Sequence, residues 1–292
     1  MTKKKIKTGL AGLLRAVNAP GADDGRVFTD PRRRRAVIAL AKASKSFKSV
    51  LDDGFSLVYG KAVGAGRPVV LISCHIDHPF EKLFIRADKS GLTGTLDNSV
   101  CAGLLLDLMR RDRLPAGVLA AFTGNEERGM RGARVLVKHL RRGALKAYAA
   151  DLAAVITLDV TPDNAGLPVS LENAAPNGSL KRRKGFETAA AMAAALAAGL
   201  KAAGVPCGTV LKALPDESHA YRAAGLSALS FCLPVNARAG SAPADVHDPK
   251  GVRCSFAHMR LWQKGLAAAV AAVFLVLLNS PFIKARRGKN GL

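Results

Sequence analysis

Short apolar runs alternate with helix-length stretches along most of this chain, and that alternation constrains the fold more than any other feature. SLVY (56–59), VVLIS (69–73), GVLAAFT (117–123), AVITLDV (154–160), TVLKAL (209–214) and SALSFCL (227–233) read as strands. Helices are expected over 98–112, 130–142 and 186–204, with a long one from about 252 to 278. The Ala-rich stretch 186–204 closes on Gly204, a glycine stop. Strands and helices interleaved in this way predict a three-layer α/β/α sandwich around a mostly parallel mixed sheet. Sheets of that kind carry their sites on loops beyond the carboxyl ends of the strands. Residues 1–292 are read as one domain, with an N-terminal helical part over 1–45 and a C-terminal core helix over 250–280. The least regular segment, Thr161 to Arg183, reads as a surface excursion.

Composition narrows the class. Hydrophobic residues make up 49% of the chain, which supports a packed core despite a formal net charge of +22. The basic residues fall in short runs: Arg32 to Arg35, Arg110 to Arg113, Arg141-Arg142, Lys181 to Lys184 and the tail KARRGKN. These are scattered and not interleaved with aromatics, so they read as solvated surface rather than a dedicated nucleic-acid face. Five cysteines, an odd number without a CxxC pair, point to a reducing, cytoplasmic setting. The N-terminal MTKKKIKTGLAGLLRAV has an apolar stretch broken by Arg15 and reads as an amphipathic helix, not a signal peptide. The most hydrophobic run, Leu266 to Leu278, has 13 residues where a membrane span needs about 20, so a buried core helix is expected.

Polar residues recur where apolar runs end. VVLIS leads to His75 and Asp77, and after a turn Gly94-Thr95-Leu96 leads to Asp97 and Asn98, which open the next helix. GVLAAFT leads to Glu126 and Glu127, AVITL to Asp159, and SALSFCLPV eventually to His247. Singly, each has an ordinary explanation: a hydrogen-bonded histidine, a helix cap at Asp97, a solvated Glu pair. Their coincidence at one sheet edge is what needs explaining. Two imidazoles and several carboxylates, without thiolate clustering, suit a borderline metal such as zinc. Two adjacent metals require a shared carboxylate plus about one imidazole and one further carboxylate each. His75, Asp97, Glu127, Asp159 and His247 supply that set. Glu126 is left free to take a proton from water, and Asp77 can fix the His75 imidazole from behind.

In this pattern the chain resembles the co-catalytic dizinc aminopeptidases, the superfamily that includes bacterial leucyl aminopeptidase and the tetrahedral aminopeptidases. The matching motifs are His75-Ile76-Asp77, Asp97-Asn98, Glu126-Glu127-Arg128-Gly129-Met130-Arg131-Gly132-Ala133, Asp159 and His247, at intervals of 22, 29, 32 and 88 residues. GMRGA looks most like the tetrahedral branch, and DESHAYRAAGLSALSF like the segment preceding the last ligand.

The resemblance implies two divalent metals, zinc first, with cobalt or manganese as substitutes. His75 and Asp159 would hold one, Glu127 and His247 the other, and Asp97 would bridge them. Glu126 would act as general base, supported by Asp77, and a peptide would be the substrate. His219 and Asp216 have a weaker claim to contact it. Only 21 residues separate His75 from Asp97 and 87 separate Asp159 from His247. Neither the inserted domain of the tetrahedral branch nor the dimerisation domain of the carboxypeptidase cousins is expected, and the oligomeric state stays open. Two other readings remain: an amidohydrolase or deacylase acting on a small N-acyl substrate, and a non-catalytic basic relative of the fold. No membrane partner is expected.

Overall fold

The computed structural model describes Gly12, Leu14 and residues 31–279, apart from 65, 163–165, 175–185, 187–188 and 238–244. The most apolar run, β3 (Val69–His75), is buried at all its positions, as a strand covered on both faces must be. Its side chains alternate between two cores. Val70, Ile72 and Cys74 enter the larger, and Val69 and Leu71 the smaller.

Helices α2 (Ser99–Arg110), α5 (Ala189–Ala202) and α7 (Phe256–Asn279) supply the larger core, whereas α3 (Arg131–Arg142) and α6 (Glu217–Ala223) cover the opposite face. α1 (Pro31–Ala41) also packs into the larger core through Val37 and Leu40, and α4 (Lys146–Ala149) is a single turn before β7. The result is a sheet between two helical layers.

Among the described residues eleven strands form the sheet. They are β1 (Phe47–Asp52), β2 (Ser56–Lys61), β3, β4 (Ile85–Ala87), β5 (Gly91–Gly94), β6 (Val118–Thr123), β7 (Leu152–Pro162), β8 (Ser170–Glu172), β9 (Gly208–Val210), β10 (Ala228–Ala237) and β11 (Val252–Ser255). Their order is β1-β2-β6-β3-β7-β10-β11-β5-β4, with β8 and β9 branching from β10. The parallel ladder is confined to the centre, β6-β3-β7-β10, and to the β8–β9 pair; the flanking pairs are antiparallel.

The expected long strands and helices form, and the differences are local. The strand read over 209–214 shrinks to Gly208–Val210, and β1, β4, β5, β8 and β11 were not anticipated. Each is short and exists through its pairing rather than its pattern. β11 occupies the first four residues of the stretch read as the start of the last helix. Thr161 to Arg183 is not simply a surface excursion. β7 continues to Pro162, and β8 is wholly buried against β10, while 175–183 lie outside the described residues.

The basic runs are not all solvated either. Arg33 is fully buried, and its Nη1 donates to the carbonyls of Ile76 (3.3 Å) and Asp77 (3.2 Å). The runs at 181–184 and 284–290 lie outside the described residues, as does most of the N-terminal helix.

α7 has 24 residues, long and apolar enough to cross a membrane by length and composition. Here it is a core helix. Trp262 is fully buried edge-to-face with Phe231, centroids 5.5 Å apart, and α5 packs against the helix at Gly199. A Cβ on Gly199 would lie 2.8 Å from the Ala268 carbonyl oxygen, so this contact requires glycine. The 21-residue interval between His75 and Asp97 is filled by β4 and β5, which pair with each other and, through β5, with β11.

Candidate metal centre

The central strands deliver their polar residues to one edge. β3 ends on His75, β6 runs directly into the loop of Glu126 and Glu127, and Asp159 stands three residues before the end of β7. Asp97 lies between β5 and α2, and its peptide bond to Asn98 is cis. His247 comes from the loop before β11.

Asp97 is the meeting point. Its Oδ1 lies 3.2 Å from His75 Nε2 and its Oδ2 lies 3.1 Å from His247 Nε2. His75 Nε2 is also 3.4 Å from Asp159 Oδ1, and His247 Nε2 is 3.9 Å from Glu127 Oε2. One ligand atom each from His75, Asp97 and Glu127 falls within 4.8 Å of the others. All five residues expected as ligands therefore converge, in two groups with Asp97 between them. His247 remains about half exposed at the rim.

Local structure fixes these positions. Asp77 does more than back His75, whose Nδ1 is 3.5 Å from its Oδ1. Its two carboxylate oxygens accept the backbone N–H groups of Glu126 and Glu127, both at 3.1 Å, and so lock the Glu pair to the His75 loop. Arg33 holds the other side of that loop through the Ile76 and Asp77 carbonyls. Asn98 Nδ2 donates to the Leu158 carbonyl (2.6 Å), tying Asp97 to Asp159. After the Glu pair, Gly132 lets α3 approach β6. A Cβ there would stand 2.3 Å from the Gly124 carbonyl oxygen.

The electrostatics are one-sided. Among the described residues six carboxylates and two imidazoles, but no Lys or Arg, line a cavity of about 610 Å³, in which Glu172 and Asp216 join His75, Asp97, Glu126, Glu127, Asp159 and His247. Burial pushes Glu126 up to about 9, Glu127 to about 7 and Asp159 to about 6, with neighbouring carboxylates adding to each. Burial also opposes charge on Asp97, but hydrogen bonding to His247 and His75 outweighs it and holds that carboxyl well below its usual range. Its hydrogen bond to Asp97 raises His247 to about 9. Burial disfavours a charged His75, yet Asp159, Asp77 and Asp97 together raise it well above an ordinary imidazole.

Among the described residues Glu127 Oε1 is buried with no hydrogen-bond donor, and the partner of Asp97 Oδ1 is the ring nitrogen of His75. Buried carboxylate oxygens so poorly supplied with donors, in an acidic cluster lined by no lysine or arginine among the described residues, fit divalent metal ions of the zinc type.

Below the ligands lies a buried polar floor. Ser73 Oγ and Thr123 Oγ1 donate to the two oxygens of Glu217 at 2.8 and 2.5 Å, and Tyr221 OH lies 2.8 Å from Ser73 Oγ. Thr157 Oγ1 donates to Ser230 Oγ (3.0 Å), which in turn donates to Asp216. Ser73 and Thr157 each stand two residues before a site residue, on the same strand face. A lone hydroxyl in an apolar strand, two positions before a candidate ligand, was the signal for this floor. Glu217 carries no such mark of its own in the sequence.

Asp216 lines the cavity, but its carboxylate is taken up capping α6. It accepts from Ser218 N (2.8 Å), Ser218 Oγ (2.5 Å), Asn173 Nδ2 (3.3 Å) and Ser230 Oγ. His219 completes the cap, its Nδ1 accepting from Asp216 N at 3.3 Å, and it is not among the cavity-lining residues. Cys74 and Cys101 are fully buried, and burial pushes both thiols well above their ordinary values, in keeping with packing roles.

An open, helix-covered mixed sheet with a carboxylate–imidazole cluster beyond its central strands has the plan of a metal-dependent α/β hydrolase. The chain belongs to peptidase family M28, whose model matches residues 58–250. No curated protein matches the sequence.

Among solved structures, an aminopeptidase from the archaeon Desulfurococcus kamchatkensis has the same fold at 11% identity and a TM-score of 0.65, covering 94% of this chain and 97% of its own. The TET1 peptidase of Pyrococcus horikoshii, which can assemble into a tetrahedron or a large octahedral shell, aligns at 12% identity and TM-score 0.62 over 89% of this chain and 98% of its own. BSAP, a zinc aminopeptidase from Bacillus subtilis, aligns at 15% identity and TM-score 0.50, over 74% of this chain and 49% of its own.

Proposed function

We propose that this M28 member is an aminopeptidase that holds two divalent metals, zinc first, and cleaves the N-terminal residue from peptides. The observation that carries the reading is the position of Asp97, whose two oxygens face two different histidines. His75 and Asp159 would hold one metal, His247 and Glu127 the other, and Asp97 both. When bound, such metals supply Lewis acidity toward the scissile carbonyl and a water of lowered pKa.

The protein's own groups do the rest. Glu126 lines the cavity but is assigned to neither metal. It takes a proton from the attacking water and returns it to the nitrogen of the departing amine. Asp77 keeps Glu126 and Glu127 at a fixed setting by accepting both of their backbone N–H groups. A cavity of about 610 Å³ has room for one amino-acid residue and the start of the next.

The test is metal analysis of the purified protein combined with paired substrates, leucine p-nitroanilide and its N-acetyl derivative. The account expects two metals per chain and turnover of the unblocked substrate. Preference for the N-acetyl compound would favour the deacylase reading. Failure on both with metals bound would favour a non-catalytic relative.

A further inference from the structure

The cavity contains one acidic side chain that neither the metal cluster nor the fold employs. Glu172, the last residue of β8, is 9% exposed and lines the cavity. Among the described residues its carboxylate has no hydrogen bond and no ion pair. Asp216, the other acidic lining residue outside the ligand cluster, has its oxygens filled by the four donors that cap α6 and brace β10. A buried carboxylate open only to a cavity is costly unless a cation or several donors reach it.

The sheet register sets where Glu172 stands. Cys232 on β10 is opposite Asp159 on one side and Ser170 on the other, and Glu172 is opposite Ser230. Glu172 therefore lies two strands from Asp159 on the same face of the sheet, about 10 Å across and two residues along, or roughly 12 Å in all at ordinary strand spacing and rise. Its carboxylate arm and one long substrate side chain together close such a gap. The cavity lining outside the acidic residues is mostly apolar and includes Val160, Pro162, Val210, Leu214 and Cys232. An alkyl stem lies well on such a wall with a charged head beyond it. Among the described residues no lysine or arginine lines the cavity.

We propose that Glu172 selects substrates whose N-terminal residue is basic, lysine or arginine, by pairing with the ammonium or guanidinium at the far end of the cavity. This rests on the aminopeptidase reading, and the experiment separates the two. The metal-loaded protein is assayed against the p-nitroanilides of lysine, arginine, norleucine, leucine and glutamate. Lysine and arginine should exceed norleucine in kcat/KM by about 10- to 100-fold, the worth of one charged hydrogen bond. Norleucine keeps the stem and lacks the charge.

Glu172→Gln should lower the lysine and arginine values by a similar factor and leave norleucine within about threefold, and Glu172→Lys should invert the preference toward glutamate. Competitive inhibition of the wild-type protein by lysinamide but not by norleucinamide gives a reading that needs no variant to fold. Selection by Glu172 is overturned if norleucine or leucine outruns lysine in the wild-type protein, or if Glu172→Gln lowers all five substrates alike. Turnover of none of the five would instead overturn the aminopeptidase reading beneath it.

Discussion

The two oxygens of Asp97 face different histidines, Oδ1 at 3.2 Å from His75 Nε2 and Oδ2 at 3.1 Å from His247 Nε2. If this carboxylate is shared between two metals, its loss removes a ligand from each and leaves the repulsion between dications less compensated. Asp97→Ala should bind fewer metals at both positions, whereas His75→Ala or His247→Ala should weaken mainly one. Metal stoichiometry by mass spectrometry on the three purified variants decides the matter. The cap position of α2 is held by Asn98, so Asp97 has no capping bond to lose, and two metals still bound in Asp97→Ala would contradict the shared-ligand assignment.

Arg33 should matter out of proportion to its run of basic neighbours. It is buried beneath the His75 loop and donates to two carbonyls there, while Arg35 two residues on is exposed. Arg33→Met keeps the stem and strands both acceptors, at about 1–3 kcal/mol for each buried group left unsatisfied. Urea denaturation should show at least about 2 kcal/mol lost, against no more than about 0.5 kcal/mol for Arg35→Ala. Equal effects would make Arg33 one more surface charge.

Glu217 gives the metal-free protein a pH-dependent component of stability. Burial raises its carboxyl to about 7, although Thr123 and Ser73 donate to it. A carboxyl with a folded value above its unfolded value of about 4.3 binds its proton more tightly in the folded state. Its contribution is then fully present below the unfolded value and is lost as pH rises through about 7. Glu217→Gln imitates the protonated form. Relative to wild type, the variant should gain stability between pH 4.5 and 7 by roughly 3 kcal/mol, and the difference should level off above that window. A pH-independent difference between the two proteins would contradict the assignment.

What was legible in the chain tracks how locally each feature is determined. The central strands carry long apolar runs, and α2, α3, α5 and α7 have length and composition of their own, so pattern alone located them. His75, Asp97, Glu126, Glu127 and Asp159 follow such runs closely and were found through them. β4, β5, β8 and β11 have three or four residues each and owe their existence to partners distant in sequence, which no local pattern encodes. Glu172 was hidden for that reason. It sits on a buried three-residue strand inside a segment that reads as loop. Arg33 was hidden differently: four arginines in a row look alike, and only the fold turns one of them inward. Asp216 and His219 stand out in DESHAY, but the capping geometry that occupies them depends on where α6 begins.

The most direct test of the account is the turnover of Glu126→Gln with its metal content measured on the same sample. The amide keeps the shape of the side chain and removes its basicity, and general acid–base catalysis is worth about 10²–10⁴-fold. The account predicts two metals per chain, an unchanged fold by circular dichroism, and kcat on an unblocked aminoacyl p-nitroanilide reduced by about that factor. A variant that binds both metals and turns over at nearly the wild-type rate would contradict it.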